Sequence, residues 1–319
     1  MNEKDLVILR NRFCRDCNVS IQIFTDPYFT DRIKLFGFYD KYLELLDIVK
    51  NDFNDNVELY LAYYNKVKDD VISYIKNSTA FIELNTKDRS KYSVKSKYPS
   101  GDIYKEDCIG HRYISIDWKK ANFSVLVKYA ETTNTEFYDN YNWVSFMKQF
   151  TKYNYIIDSK YIRQVVFGNC NPKCQIELEK YYMYCFTKDL LESVAILREN
   201  DIVSMREDEL IISADNLSET DIAYIKDISK TLQSKYLPLD FEYFILGKLE
   251  NTEGYYKSIL DNGVEVKYEL KCVNPYEAPF IYRFIKGDVV QETDLYFYSK
   301  PYIAKFVTYP KDIRLNLGE

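Results

Sequence analysis

The run ISIDWKKANFSVL, residues 114–126, changes period halfway along. Ile114 and Ile116 alternate with Ser115 and Asp117, the mark of a half-buried strand. From Trp118 onward, Trp118, Ala121, Val125 and Tyr129 fall on one helical face, with Phe123 and Leu126 beside it. The same two periods divide the rest of the chain. Residues 19–24 (VSIQIF) alternate and read as a strand before a turn at Asp26-Pro27. Residues 38–78 read as two helices parted near NDFNDN, the second with Leu61, Tyr64, Val67, Val71 and Tyr74 along one face. Residues 87–101 are polar and end at Pro99–Gly101, an exposed loop. Strand and helix alternate from 113 to 213, and a helix follows over about 218–235. The remaining segments, FEYFILGKLE, YYKSILDNGVEVKYELKCV, PFIYRFIKGDVV and LYFYSKPYIAKFV, read as strands, with Asn262-Gly263 as a hairpin turn. The expected fold class is α+β: a mostly helical region at 1–100, a mixed core at 101–235 and a β-rich domain at 236–319.

Composition narrows the function classes. Hydrophobic residues make up 46% of the 319 and charged residues 29%, which excludes disorder, and no apolar run approaches a bilayer span. The N-terminus has no secretory pattern and the seven cysteines have no framework spacing, so the chain is expected inside a cell, the host cytoplasm for a virus. Its 32 tyrosines, with abundant Lys, Asn and Ile, fit an AT-rich coding source such as a virus, phage or mobile element. The net charge of −6 removes any global basic field, so nucleic-acid binding would need local patches.

Three segments carry candidate chemistry. Asp117 stands at a strand-to-helix junction, where an aspartate is either a helix N-cap or a carboxylate held on a rigid edge. In SKYIRQVVFGNCNPK, Ser159, Arg163 and Phe167 are spaced four apart on one helical face, Lys160 borders it and Gly168 ends it. Such an arginine can clamp a phosphate while the ring stacks on a base, or it can simply be a solvated residue of an amphipathic helix. In IVSMREDELIIS, β-rich arms flank Glu207, Asp208 and Glu209, a tip that is either solvated or neutralised by a cation.

In this order the three segments resemble motifs A, B and C of family-A DNA polymerases. DWKKANFSVL matches D-Y-S-Q-x-E-x-x-x-L, with Asp117 on the metal-binding aspartate, Trp118 on the aromatic and Asn122 on the glutamate. SKYIRQVVFG matches R-x-x-x-K-x-x-x-[FY]-G, with Arg163 in place of the lysine and Phe167-Gly168 on the terminal pair. EDEL matches H-D-E-L, with Glu207 in place of the histidine. The resemblance covers about 113–213 and implies a polymerase-like palm with reduced fingers, the stretch from Gly168 to Asp208 being short. It implies template-directed nucleotidyl transfer by two Mg²⁺ (or Mn²⁺) ions on Asp117 and Asp208, with Glu209 as a supporting acid. Arg163 and Lys160 would steady the triphosphate, Phe167 would pack on the base, and Asn122 would stand beside the sugar. The helices at 38–78 occupy the place of the family's thumb.

The implied partners are nucleoside triphosphates and a primer-template or single strand. A contact through Lys87, Arg89, Lys91, Lys95 and Lys97 is balanced by the alternative of a solvated loop. A replication protein could meet the C-terminal domain. Two other classes stay open: an inactive palm-like nucleic-acid-binding or replisome subunit, and an interaction protein acting through its β-region. Cys14, Cys17, Cys108 and His111 carry little weight as zinc ligands, since the pairs are far apart in sequence. No Gly-rich phosphate loop occurs.

Overall fold

The computed structural model describes residues 1–299 and 302–318. Five helices come first: α1 (Glu3–Asp16), α2 (Phe29–Leu35), α3 (Tyr39–Asp52), α4 (Val57–Asn77) and α5 (Thr79–Thr86). The spacing read from the sequence places α3 and α4 correctly. Residues 19–24 do not form a strand: Ile21–Ile23 is a 3₁₀ turn, with the adjacent Ile23 and Phe24 both buried.

Strand β1 (Arg112–Trp118) leads into α6 (Ala121–Thr133), followed by α7 (Trp143–Met147), α8 (Asn154–Ile157), α9 (Lys160–Gly168) and the long α10 (Pro172–Ser193). A hairpin of β2 (Ile202–Met205) and β3 (Glu209–Ser213) precedes α11 (Glu219–Gln233), β4 (Leu239–Glu250), β5 (Tyr255–Asp261) and β6 (Val264–Lys271). Asn262 and Gly263 both take positive φ, as the tight turn between β5 and β6 requires. Residues 278–286 are helical, not extended: this is α12 (Ala278–Lys286), closed by Gly287 in the left-handed region. Strands β7 (Tyr296–Ser299) and β8 (Tyr302–Lys305) pair as expected, and residues 300–301 of that segment lie outside the described residues. Strand β9 (Arg314–Asn316) ends the chain.

The main sheet is antiparallel in the order β2-β3-β1-β4-β5-β6. The first half of β4 pairs with β1, and its far end pairs with β9 along the same edge. The β-rich segment that the sequence sets apart from residue 236 therefore continues the sheet of the central region. One face of the sheet packs on helices. There Ile114, Ile116 and Trp118 join Leu210, Ile212, Leu239 and Tyr243 in the main core, beneath α6, α10 and α11. On the other face Tyr113, Ile211, Phe244 and Leu246 are covered by Ile103 and Cys108, while Ser115 and Asp117 continue the same row toward the strand end. The outcome is a mixed α/β protein with an antiparallel sheet and packed helices. No described helix is long and apolar enough to cross a membrane.

Candidate functional site

The carboxylates meet where β1 ends. Asp117 stands opposite Glu209 of β3 on one side and opposite Asp240 of β4 on the other. Directly opposed residues of an antiparallel pair share a face, so the three acids crowd one edge. The Trp118 N–H donates to the Asp208 carbonyl at 2.8 Å, which fastens the β2–β3 turn to the end of β1. Asp117, Asp208 and Glu209 are thus brought together from segments far apart in sequence.

Glu209 is engaged beneath the others. It accepts from Ser115 Oγ at 2.6 Å and lies 3.9 Å from Lys257 Nζ, which is 3% exposed and 3.1 Å from Glu242. Two carboxyls sequence reasoning missed also belong here. One is Asp240, whose position depends on strand register. The other is Glu179 of α10, 4% exposed, which accepts from Asn122 Nδ2 at 3.0 Å. A signal for Glu179 existed: it lies on the stripe of Cys174, Leu178, Tyr182 and Phe186, where an acid is out of place.

Burial and mutual repulsion dominate the electrostatics. Burial, then Asp208, Glu209 and Asp240, push Asp117 up to about 7, against a smaller opposing effect of Lys257. Asp208 is also raised, by desolvation and then by Glu209 and Glu207, although its own backbone N–H and Arg206 oppose the shift. Burial first, then Asp208 and Glu207, raise Glu179 to about 8. Each of these groups binds its proton more tightly folded than unfolded, so the folded chain holds extra protons above the ordinary carboxylate range. The stability these three groups contribute is therefore fully present at low pH and is lost as pH rises through about 7 to 8. Melting in chelator should give a lower Tm at about pH 8 than at about pH 5.5, with millimolar Mn²⁺ restoring part of the difference at the higher pH. A Tm that is flat with pH and indifferent to Mn²⁺ would remove the strained-carboxylate description.

Beside the acids a cleft of about 890 Å³ opens. Asp117, Lys119, Lys120 and Asp240 form one wall, residues 140–145 another, and Arg163 of α9 a third. Lys119 pairs with Asp240 at 2.8 Å. Lys120 and Arg163 are different. Among the described residues neither side chain makes a hydrogen bond or an ion pair. Arg163 is lowered by desolvation, and Lys120 by desolvation and then by Arg163, with Asp158 opposing. Two neighbouring cations without an ion-pair partner thus line the same open cleft as Asp117 and Asp240.

The remaining candidates fall elsewhere. Lys160 is exposed at the start of α9 and does not line the cleft. Phe167 is 2% exposed and packs on Trp143 with ring centroids 6.0 Å apart, so its ring is core and is not presented to a base. Ser159 is buried as the N-cap of α9. In the 87–97 loop, Lys87 pairs with Glu83 at 2.6 Å, Arg89 with Glu177 at 3.2 Å, and Lys97 with Glu199. Lys91 lies over the Tyr92 ring and Lys95 is exposed. The loop's tyrosines, Tyr92 and Tyr98, are buried anchors and offer no free ring for stacking. His111 pairs with Asp215 at 2.7 Å, and all seven cysteines are free.

No family model, curated protein or solved structure matches the chain. The cleft must speak for itself on cations. Among the described residues no group of three or more His, Cys, Asp or Glu side chains is arranged to hold a metal ion, so a closed protein cage is not what these residues build. Magnesium is commonly bound through one or two carboxylates, with water and phosphate oxygens completing the shell. Asp117 and Asp208 fit that pattern, since a cation shared with a phosphate would relieve the repulsion between them.

Proposed function

We propose that the chain is a template-directed nucleotidyltransferase with a reduced palm of the family-A polymerase type. One observation carries the reading. A single cleft is lined by the carboxylates of Asp117 and Asp240, by Lys120 on the same wall and by Arg163 on another, the two cations being without an ion-pair partner among the described residues. A polyphosphate bridged to a divalent cation is complementary to both at once. The order of the three motif-like segments, and the meeting of Asp117 with Asp208, add support.

Asp117 and Asp208 would hold the Mg²⁺ or Mn²⁺, which when bound supplies Lewis-acid stabilisation of the charge that builds on the phosphoryl oxygens. The protein's own part is positioning. Strand β1 and the β2–β3 turn fix the two carboxylates, Ser115 and Lys257 restrain Glu209 behind them, and Arg163 aligns the triphosphate across the cleft. Asn122 donates to Glu179, which leaves its amide oxygen to accept from a sugar hydroxyl.

The test is incorporation of labelled nucleotides on primed and single strands with Mg²⁺ or Mn²⁺. Arg163→Ala should raise the nucleotide KM and lower kcat/KM by about 10- to 100-fold, as expected for losing a charge-assisted phosphate bond of ~1.5–3 kcal/mol. Arg163→Lys should recover part of it. Wild-type kinetics in the alanine variant would mean that α9 does not face the triphosphate.

A further inference from the structure

Lys257 is a charge in an apolar place. Its register partner on β4 is Leu246, a member of the apolar cluster on that face of the sheet, and the lysine is 3% exposed. In the order β3-β1-β4-β5, two strands separate it from Glu209. Alternation puts Asp117, Ser115, Glu209, Glu242 and Lys257 all on this one face. The side chain crosses the gap. Its Nζ lies 4.5 Å from the centroid of the Phe244 ring, 3.1 Å from Glu242 and 3.9 Å from Glu209 Oε1. Taking an ammonium out of water costs about as much as a buried ion pair returns, and an apolar side chain of similar size would pack there without that cost. Stability alone does not call for a lysine at 257.

Its effect on Glu209 falls on one oxygen. Ser115 Oγ donates to Glu209 Oε1 at 2.6 Å, and Lys257 approaches the same atom. Glu209 Oε2 makes no hydrogen bond or ion pair among the described residues. The carboxylate therefore has one oxygen engaged within the sheet and one left over. That difference matters to a cation. Calcium gathers roughly six to eight oxygens and readily takes both from one carboxylate, whereas magnesium keeps a strict octahedral shell completed by water and phosphate. A carboxylate with one oxygen already held can give only the other. This suits the smaller ion and denies the larger one its two-oxygen grip.

Resting on the cation-binding part of the nucleotidyl-transfer reading, we propose that Lys257 is a positioning residue that sets cation choice. With Ser115 it occupies Glu209 Oε1, limits Glu209 to a single oxygen, and biases the acidic edge toward Mg²⁺ or Mn²⁺ over Ca²⁺. It acts through Glu209 and touches neither the cation nor the nucleotide.

The test needs no turnover. Mn²⁺ binding to the full chain is followed by loss of the free ion's paramagnetic resonance signal, and Ca²⁺ binding by competition against it. Removing the Lys257 charge strengthens the hold on both cations, so the ratio of the two Kd values reports how many oxygens Glu209 gives. In Lys257→Met the preference for Mn²⁺ over Ca²⁺ should fall by about 10-fold, the scale on which groups behind a metal ligand act. Ser115→Ala leaves every charge in place and should move the ratio the same way by about 3-fold, so it serves if the lysine variant misfolds. Adding Glu209→Gln to Lys257→Met should return the ratio to within about 2-fold of wild type, which a general loosening of the sheet would not do. A ratio unmoved in folded Lys257→Met, or in Ser115→Ala where the lysine variant misfolds, would overturn the role of Lys257 while leaving nucleotidyl transfer intact. A shift that survives Glu209→Gln would do the same. A chain that shows these shifts but incorporates no nucleotide would keep the cation choice and end nucleotidyl transfer. A wild-type chain that binds neither Mn²⁺ nor Ca²⁺ would end both.

Discussion

Asp117→Asn and Asp208→Asn should each cut nucleotide incorporation by about 10³-fold, the rate equivalent of losing ~4 kcal/mol of charge stabilisation. The distinguishing sign is that Asp117→Asn should gain stability as it loses activity. In chelator above about pH 7, wild-type Asp117 is an anion forced on Asp208, Glu209 and Asp240 in a partly desolvated corner. An amide of the same shape removes that repulsion, so its Tm should equal or exceed that of wild type at about pH 8. The wild-type advantage should return only when Mn²⁺ is added, because the amide is a poor ligand for a hard cation. An acid that served only as a helix cap would behave differently, since asparagine caps about as well as aspartate and its amide variant would keep both stability and turnover. Unchanged incorporation in either variant would end the cation-binding assignment.

The legible parts of this chain were those in which a local period agrees with the final packing. Ile114 and Ile116 go to the helical face while Ser115 and Asp117 go to the other, as alternation requires. Asn262-Gly263 announced its turn because few other residues tolerate two positive φ angles in succession. The misread segments lacked that agreement. In residues 279–285 the aromatic and β-branched residues suggested a strand, but Phe280, Ile281, Phe284 and Ile285 also fit a helical stripe. Pro279 in the first turn and Gly287 past the end are helix punctuation. In residues 19–24 alternation was present, but the segment pairs with no strand and Ile21–Ile23 forms a 3₁₀ turn instead.

The candidate site divides in the same way. Asp117 and Asp208 could be named from sequence, and their meeting follows from the order of β3, β1 and β4. Asp240 reaches Asp117 only through register, which is a property of the whole sheet. Lys120 was not legible, since nothing about a lysine announces a left-handed backbone. Phe167 was assigned to a base because its spacing from Arg163 put both on one face. The helix is buried around much of its girth, and spacing alone does not tell which part of a face meets solvent.

The support behind Arg163 gives the other large expectation, and it lies outside the motif-like segments. Asp16, 1% exposed at the end of α1, accepts from Arg12 at 2.9 Å, from Tyr64, from Tyr155 at 3.0 Å and from Ser159 Oγ at 3.0 Å. One carboxylate thus joins α1, α4, α8 and the cap of α9, the helix that carries Arg163. The Arg12 guanidinium is itself placed over the rings of Tyr64 and Tyr161, 4.5 and 4.2 Å from their centroids. Asp16→Ala would leave a largely buried cation and three hydroxyls without their shared acceptor, a loss of ~3–5 kcal/mol by comparison with other broken buried pairs. For a chain of this size that corresponds to a Tm lower by about 4–7 °C. Ser159→Ala, which removes one bond and the helix cap, should cost only about 1 kcal/mol. Because α9 would lose its anchor in both, the nucleotide KM should rise in both, further in Asp16→Ala, with the variants assayed below their melting transitions. An Asp16→Ala protein that melts with wild type would show that the four elements are held by their apolar contacts alone. If it melts early but keeps the wild-type KM, α9 does not depend on Asp16 for the placement of Arg163.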